Sequence, residues 1–251
     1  MQEKNILTVT QLCKHFGGVR ALDGLDLQVR QGEILGIVGP NGAGKTALIN
    51  TITGFYRATS GQIVLRGSEI TDLSMHHIGR LGISRTFQNI RLFKRLSVLE
   101  NVLVAHKKNA TQVIRSVFRS GSNAQEQERA MHWLNLFQLT DKANLPASSL
   151  SYGDARRLEI ARALAGEPCL LLLDEPAAGM NEAEKMQLIA DIQVLKGNVE
   201  SIILVEHDMD LIRKVSDRLV AMDYGKKIAE GTPSEVLSDS EVLRAYLGSN
   251  I

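Results

Sequence analysis

A glycine-rich octapeptide, Gly39-Pro40-Asn41-Gly42-Ala43-Gly44-Lys45-Thr46, constrains the fold of this 251-residue chain more than any other feature. It matches the pattern G-x-x-x-x-G-K-[ST] in full. The octapeptide lies between an unbroken apolar run, Ile34–Val38, and a segment of helical pattern that ends near Gly54. In such a loop, backbone N–H groups surround a polyphosphate, and the positive end of the next helix dipole adds to the attraction. We therefore expect a strand, a phosphate-binding loop and a helix in that order.

Side chains and backbone have separate tasks in this loop. Lys45 is expected to reach the β- and γ-phosphates of a nucleotide, and Thr46 to ligate Mg²⁺. The next residue is Ala47, so the hydroxyl that often follows the magnesium ligand is missing. The candidate nucleotide-binding residues of this segment are Gly39, Asn41, Gly42, Gly44, Lys45, Thr46 and Ala47.

Two acidic residues follow a second apolar run. Asp174 and Glu175 come directly after Leu170–Leu173. Asp174 suits an outer-sphere partner of Mg²⁺ beside the phosphate site, and Glu175 suits a general base that polarises the attacking water. A helix N-cap before Pro176 is the alternative interpretation of this pair.

Three more residues are candidates because of where they stand. His207 follows the apolar run Ile202–Val205 and would contact the γ-phosphate at the carboxyl edge of the sheet. Gln88 would sense Mg²⁺ or the attacking water, and Phe16 would stack on adenine. On residue chemistry alone, a structural role explains Phe16 equally well and Gln88 better. A lone histidine would also usually be structural, but His207 has a position at a strand end.

Short apolar runs predict an α/β fold. Ile34–Val38, Leu170–Leu173 and Ile202–Val205 are typical of strands buried on both faces of a parallel sheet, and helical patterning lies between them. Strand-like segments also occur at Ile6–Thr10 and Leu25–Val29.

The middle of the chain has a different pattern. Residues from about 97 to 164 are mostly helical in period, with a polar break at 119–123, which predicts a helical insert. Its apolar face is predicted to contain Ala130, Trp133, Leu134 and Phe137. Residues 219–222 and 227–229 flank a predicted turn and predict a hairpin, and a last helix is expected from about Pro233.

Composition excludes several classes of protein. Lys and Arg number 29 against 28 Asp and Glu, a net charge of +1, which argues against nucleic-acid binding through a broad basic surface. Cys13 and Cys169 match neither a disulfide framework nor a zinc spacing, so a reducing compartment is expected. We find no signal peptide and no apolar run near the ~18 residues of a membrane span, and therefore expect a soluble cytosolic chain. His76 and His77 are interpreted as a solvated loop pair.

The segment Leu150–Leu164 predicts a second anion-binding helix start. Ser151 is a good N-cap, and Gly153 exposes backbone N–H groups at the beginning of an amphipathic helix. One ATP molecule does not need two such sites from one chain. A dimer would use both if it enclosed ATP between the phosphate loop of one copy and this helix of the other.

With this segment, the sequence resembles the ATP-binding subunits of ABC transporters over essentially its whole length. Ser151-Tyr152-Gly153-Asp154 is similar to the L-S-G-G-Q stretch of that family. The resemblance implies a P-loop NTPase core with a mostly parallel sheet and an N-terminal antiparallel β subdomain. It also implies a helical subdomain at about residues 90–160, inserted in one nucleotide-binding domain that spans residues 5–250.

The resemblance also implies roles for the matching residues. Phe16 resembles the aromatic residue that stacks on adenine, and Gln88 the glutamine that joins the core to the helical subdomain. Glu175 is similar to the catalytic glutamate and His207 to the switch histidine. The implied ligands are ATP and Mg²⁺. The catalytic set is Glu175, His207 and Gln88, the metal set is Thr46, Gln88 and Asp174, and Ser151, Gly153 and Asp154 would contact the ATP of a partner.

Three stretches resemble the ATPases of high-affinity branched-chain amino-acid uptake systems: residues 174–181, 205–209 and 244–248. This implies a subunit that energises import through two integral-membrane permease subunits, with a periplasmic or extracellular substrate-binding protein acting indirectly and no nucleic acid. The second ATP-binding subunit is expected to be a related chain or a second copy, and the resemblance to these uptake systems favours a related chain. The expected location is the cytoplasmic face of the bacterial inner membrane.

The chain departs from the family pattern at four positions. Asp154 and Ala155 replace the usual glutamines, Asn181 stands where most members have aspartate, and Ala47 lacks a hydroxyl. Asp154 would bring a negative charge close to the γ-phosphate bound by the partner.

Three alternatives remain. Lipopolysaccharide-exporting ATPases share the stretch Gly231-Thr232-Pro233, but they usually have two glycines in the signature, where this chain has Tyr152. Soluble regulatory or DNA-repair ATPases of the superfamily usually contain two cassettes or a long coiled coil. A nucleotide-binding protein without hydrolysis is opposed by intact Lys45, Thr46, Asp174, Glu175 and His207.

Overall fold

The computed structural model describes residues 4–106 and 124–247. The strands are β1 Asn5–Phe16, β2 Val19–Arg30, β3 Ile34–Val38, β4 Ser60–Leu65, β5 Ser68–Glu69, β6 Ile83–Arg85, β7 Leu170–Asp174, β8 Ser201–Val205, β9 Arg218–Asp223 and β10 Lys226–Gly231. The α-helices are α1 Lys45–Ile52, α2 Met75–Arg80, α3 Val98–His106, α4 Ala124–Leu136, α5 Tyr152–Leu164, α6 Glu182–Leu195, α7 Met209–Val215, α8 Pro233–Ser238 and α9 Ser240–Leu247.

A six-stranded sheet in the order β10-β9-β3-β8-β7-β6 forms the centre of the fold. Its strands are parallel except for β10, which pairs antiparallel with β9 in the predicted hairpin. Every residue of β3, β7 and β8 is buried, because both faces of the sheet are covered. Alternate residues of these strands therefore enter two different apolar clusters, as Ile34 and Leu35 do. The prediction of three buried parallel strands is confirmed.

A second, antiparallel sheet has the order β2-β1-β4-β5. β1 and β2 are longer than predicted, since β1 continues past an irregularity between Val9 and Leu12, where Gln11 has φ 47°. The sequence did not predict β4, β5 or β6. β4 begins with exposed polar residues, and β5 and β6 contain two and three residues, so local patterning is weak. Pairing with β1 and β7 makes β4 and β6 strands.

The predicted helical insert contains α3, α4, α5 and two 3₁₀ turns, Thr140–Lys142 and Ala147–Ser149, among the described residues. Ala130, Leu134 and Phe137 are buried and Trp133 is partly buried, as the predicted apolar face requires. These residues belong to the same apolar cluster as one face of the parallel sheet. The predicted polar break at 119–123 lies outside the described residues. The domain bounds, residues 5–250 with a helical subdomain at about 90–160, stay a prediction.

The end of the chain corrects one expectation. The single helix predicted from about Pro233 is two helices, α8 and α9, which are separated at Asp239. Asp239 has extended backbone angles, φ −66° and ψ 132°, and its Oδ1 accepts hydrogen bonds from the N–H groups of Glu241 and Val242. The carboxylate therefore satisfies the free N–H groups of a new helix, which favours the break.

The histidine pair also differs from its prediction. His76 and His77 are exposed, as expected, but they lie on α2 and not in a loop. Ser74 precedes α2, and its Oγ lies 2.8 Å from Nδ1 of His77. Only Ile78 of α2 is buried, so this short helix has almost no apolar periodicity to reveal it.

Within residues 4–106 and 124–247, no helix combines the length and apolar character that a membrane span needs.

Candidate nucleotide-binding site

The phosphate-binding loop joins β3 to α1 at the carboxyl edge of the parallel sheet, as predicted. Gly39 and Gly44 both have positive φ, 151° and 103°. A Cβ atom at Gly39 would lie 2.2 Å from the carbonyl oxygen of Met222, and one at Gly44 would lie 2.4 Å from that of Ala21. Both positions therefore need glycine for space as well as for conformation. Asn41, Gly42 and Thr46 are exposed, and Ala47 is buried on α1.

Lys45 is buried and crosses the loop. Its Nζ donates hydrogen bonds to the carbonyl oxygens of Gly39, at 2.5 Å, and Pro40, at 3.0 Å. Burial lowers the pKa of this ammonium group, and the negative charges of Glu175 and Asp174 oppose that shift. The loop thus holds a desolvated cation beside two carboxylates, and the cation is available to a phosphate.

Asp174 has a cationic partner that the sequence did not predict. Nη2 of Arg85, on β6, donates to Oδ2 of Asp174 at 2.6 Å, and Nη1 donates to Oδ1 of Asn50 at 2.6 Å. Both charged side chains are about nine-tenths buried. Because β6 pairs with β7, the ends of the two strands bring Arg85 close to Asp174. Nothing in the sequence near Arg85 indicates this partner.

Glu175, Gln88 and His207 meet beyond the ends of β7 and β8. Gln88 Nε2 donates to Oε2 of Glu175 at 2.7 Å, and Nδ1 of His207 lies 3.9 Å from the same oxygen. Glu175 has φ 46°, an uncommon conformation for a residue with a side chain, and its N–H donates to the carbonyl oxygen of Val205. The N-cap interpretation of the acidic pair is wrong, since neither residue caps a described helix.

A buried glutamate organises the two loops that follow β7 and β8. Glu206 is fully buried, and its carboxylate accepts hydrogen bonds from the N–H groups of Ala177, at 2.8 Å, and His207, at 3.1 Å. Burial raises the pKa of Glu206, although these hydrogen bonds act in the opposite direction. The sequence analysis assigned no role to this residue. The sequence feature that could have revealed it is an acidic residue directly after the apolar run Ile202–Val205.

Phe16 lies at the end of β1 and is 44% exposed. Its ring packs edge-on against Tyr56 at a centroid distance of 5.0 Å, and Nζ of Lys14 lies 4.8 Å from the Phe16 ring centroid. An aromatic ring held from one side and open on another is suited to stacking on a planar base.

Ser151 is the N-cap of α5, as predicted, and its Oγ accepts a hydrogen bond from the N–H of Asp154. The carboxylate of Asp154 is paired within the chain, with Lys142 Nζ at 2.7 Å and Ser151 Oγ at 2.9 Å, and Arg157 lies at 3.8 Å. Burial tends to raise the pKa of Asp154, but the bonds from Lys142 and Ser151 outweigh it, so the pKa is lowered. The charge that replaces a neutral glutamine is thus compensated locally.

The signature segment is residues 151–154, the stretch similar to L-S-G-G-Q. Among the described residues, no hydrogen bond or ion pair joins 151–154 to 39–47. Ser151, Gly153 and Asp154 instead line a cavity of about 310 Å³ together with Asn181 and other residues of α6. Asn181 caps α6 in a reciprocal hydrogen-bond pair with Glu184. The side-chain amide of Asn181 therefore caps α6 as an uncharged group.

The comparisons with known proteins agree with this geometry. Residues 22–178 match the family model described as ABC transporter. The chain belongs to this family. Residues 226–250 match a second model, described as branched-chain amino acid ATP-binding cassette transporter.

Curated relatives match along almost the whole chain. The chain is 44% identical over 250 residues to the high-affinity branched-chain amino acid transport ATP-binding protein BraF of Pseudomonas aeruginosa, covering 97% of this chain and 98% of that protein. It is 42% identical over 249 residues to the protein LivG of Escherichia coli, which has the same description, again covering 97% and 98%.

Solved structures agree in fold. An ATP-binding cassette of an ABC transporter in its ADP conformation has a TM-score of 0.87 and 31% identity, over 98% of this chain and all of that one. A nucleotide-free cassette has a TM-score of 0.86 and 32% identity over the same shares. This chain is therefore an ABC-type ATPase with a P-loop α/β fold, and it binds nucleotide.

Proposed function

We propose that this ATPase energises the import of branched-chain amino acids through membrane permease partners. The relatives match nearly the full chain, and their names, as branched-chain amino acid transport ATP-binding proteins, support the substrate class. The match of residues 226–250 to the branched-chain model supports it independently of the common ATPase core.

In the proposed site, ATP lies across the phosphate loop with adenine on Phe16. Backbone N–H groups of the exposed loop residues and the start of α1 bind the phosphates, and Lys45 exchanges its carbonyl partners for phosphate oxygens. The loop conformation described above supports this placement. Asn41, Gly42 and Thr46 are on the open side of the loop, where a ligand has access.

The hydrogen bond between Gln88 and Glu175 is the observation on which the hydrolytic role rests. Glu175 would take the proton of a water that attacks the γ-phosphate, and Gln88 and His207 would orient that water and the phosphate. Glu206 holds the main chain of His207, and the His207 ring is exposed beside Glu175. The rate gain would come from positioning and electrostatics rather than from a covalent intermediate.

The residues present suit Mg²⁺. Thr46 and Asp174 offer oxygen atoms, and the amide of Gln88 offers another, the hard donors that this ion prefers. Only Oδ2 of Asp174 is bonded to Arg85, so Oδ1 remains for an ion or its water. An ion held there supplies neutralisation of charge on the β- and γ-phosphate oxygens. Within this chain, Thr46 and Asp174 would bind and orient it.

Ser151, Gly153 and Asp154 would act on the nucleotide of a second ATP-binding subunit. Among the described residues they make no hydrogen bond or ion pair with the phosphate loop of the same chain, which supports this, because a site completed by two chains explains both anion-binding segments. A related ATPase cassette has been solved as a dimer at 25% identity and a TM-score of 0.75. The partners would be a related ATP-binding chain, two permeases and, indirectly, a substrate-binding protein, at the cytoplasmic face of the bacterial inner membrane.

The hydrolytic role is tested by Glu175→Gln. The variant should retain ATP binding, lose steady-state turnover and favour a stable ATP-bound dimer, since it keeps a hydrogen-bonding side chain and loses the base. Glu182→Gln is the matched control, because Glu182 is 88% exposed and, within the described part of the chain, pairs with Lys185. Wild-type turnover by Glu175→Gln would remove Glu175 from this role.

The substrate class is tested by transport. The chain is reconstituted in vesicles with candidate permease subunits, and a branched-chain amino acid is presented by a candidate substrate-binding protein. ATP-dependent uptake that Glu175→Gln abolishes supports import. Extraction of lipopolysaccharide, or no membrane partner at all, would contradict it.

A further inference from the structure

A tyrosine near the end of the chain contacts the first residue of the phosphate loop. The N–H of Gly39 donates a hydrogen bond of 2.6 Å to the hydroxyl oxygen of Tyr246, 207 residues away on α9. Burial raises the pKa of the Tyr246 hydroxyl, so it is neutral at physiological pH. The mechanism above makes no use of this contact.

Gly39 needs this partner because the chain leaves the sheet there. Val38 is the last residue of β3 to pair with β9, at Ala221, and the loop turns away beyond it. Gly39 is buried, and a buried N–H without an acceptor costs free energy. The Tyr246 hydroxyl supplies the acceptor that the strand ladder no longer offers.

The other backbone group of Gly39 is bonded to the phosphate-binding lysine. The Gly39 carbonyl oxygen accepts the 2.5 Å bond from Lys45 Nζ. When Lys45 moves to a phosphate, Gly39 loses that bond, whereas the bond to Tyr246 is compatible with bound nucleotide. Tyr246 is therefore placed to keep the start of the loop in position through this exchange.

The β9–β10 turn supports the loop farther along. Gly225, in this turn, donates its N–H to the carbonyl oxygen of Ala43 at 2.9 Å. Two contacts from the C-terminal part of the chain thus reach the loop, one at Gly39 and one at Ala43. Val242 is the buried residue of α9 and anchors the helix on the core, whereas Tyr246 is 37% exposed and reaches Gly39 through its hydroxyl.

We propose that Tyr246 is a positioning residue for nucleotide binding, which holds the phosphate loop in its binding-competent conformation through the N–H of Gly39. This deepens the proposed function and rests on its nucleotide site. It gives the segment matched by the branched-chain model, residues 226–250, a direct effect on ATP affinity.

The test compares Tyr246→Phe with Tyr224→Phe in the full chain. Both remove one hydroxyl, but Tyr224 is 82% exposed. Tyr246→Phe should raise the dissociation constant for MgATP about three- to tenfold, in line with the loss of one neutral hydrogen bond, and Tyr224→Phe should leave it unchanged. With glycine ¹⁵N-labelled, the Gly39 amide should exchange its proton faster in Tyr246→Phe alone.

A purely structural role would lower the unfolding midpoint of Tyr246→Phe without changing its MgATP affinity under conditions where the variant is folded. That result, or identical Gly39 exchange in wild type and variant, would overturn the proposal. Failure of the wild-type chain to bind MgATP would instead contradict the nucleotide site itself, so the two failures are distinguishable.

Discussion

Arg156, on the signature helix α5, donates a hydrogen bond of 2.7 Å to the main-chain carbonyl oxygen of Gln88. Gln88 in turn donates from its side chain to Glu175. Arg156 is fully buried and also bonds to the carbonyl oxygen of Phe87 and to Glu159, both at 2.7 Å. A displacement of Gln88 by nucleotide would therefore be transmitted to α5, the helix that we propose contacts the partner subunit.

Replacing Arg156 by Met should lower the free energy of unfolding by about 3–5 kcal/mol, because Glu159 loses its buried cationic partner. The double variant Arg156→Met/Glu159→Leu should recover part of this stability, since the buried carboxylate is removed as well, although the N–H of Arg91 loses its acceptor. Its kcat should still be lower than that of the wild type, because the carbonyl groups of Phe87 and Gln88 lack the donor that Arg156 supplied. Urea unfolding and steady-state ATP hydrolysis measure the two effects.

The control for this series is Arg213→Met, which removes an exposed arginine paired with Asp210 at 3.4 Å and should cost less than about 1 kcal/mol. A stable double variant that hydrolyses ATP at the wild-type rate would show that the contact with Gln88 does not serve turnover.

The pair Arg85 and Asp174 predicts a stability effect that depends on ligand. Arg85→Met should destabilise the nucleotide-free chain by about 3 kcal/mol, since the buried Asp174 carboxylate loses the cation that is hydrogen-bonded to it and keeps only the more distant charge of Lys45. MgATP should reduce this deficit, because the ion would supply positive charge near the same carboxylate. Thermal unfolding with and without MgATP measures the difference. Arg80→Met, at an exposed position on α2, is the control. A deficit of the same size in both conditions would contradict a magnesium role for Asp174.

Asp208 predicts a pH dependence. Lys185 Nζ lies 2.8 Å from its Oδ2, the N–H of Leu211 donates to its Oδ1, and the hydrogen bond from Lys185 is the main cause of its lowered pKa. A carboxyl group whose pKa is lower in the folded chain contributes stability above its unfolded pKa of about 3.9, and that stability is lost as the pH falls through the folded pKa.

Asp208→Asn should therefore lower the free energy of unfolding at pH 7 by about 1 kcal/mol or less, since asparagine still caps α7 and only the charge is lost. The difference from wild type should disappear in strong acid. Urea unfolding from pH 7 down to about pH 2 measures this, with Asp210→Asn, 80% exposed, as the control. A difference that persists unchanged in acid would place the effect in the cap rather than in the charge.

The parts that could be predicted share one property. β3, the phosphate loop and α1 follow each other in the chain, so about twenty consecutive residues contain the groups that define them. The same holds for β7 with its two acids and for the β9–β10 hairpin. Gln88 and His207 needed the family resemblance, because each is a common polar residue in a segment without a motif of its own.

The parts that could not be predicted depend on residues distant in the chain. β4 and β6 become strands through their partners, and Asp239 divides the last helix by capping a new one. Arg85 meets Asp174 across 89 positions, and Tyr246 meets Gly39 across 207. Neither pair has a spacing that a pattern could recognise.

The sequence by itself determined the phosphate loop, the buried parallel strands and the acidic residues that end or follow them. Local backbone requirements select glycine at fixed positions, and burial on both faces selects unbroken apolar runs, so both can be recognised in consecutive residues. Tertiary structure alone decided how the site is held. The buried ends of neighbouring strands and helices leave polar groups that must find partners, and those partners are chosen by proximity in space rather than along the chain.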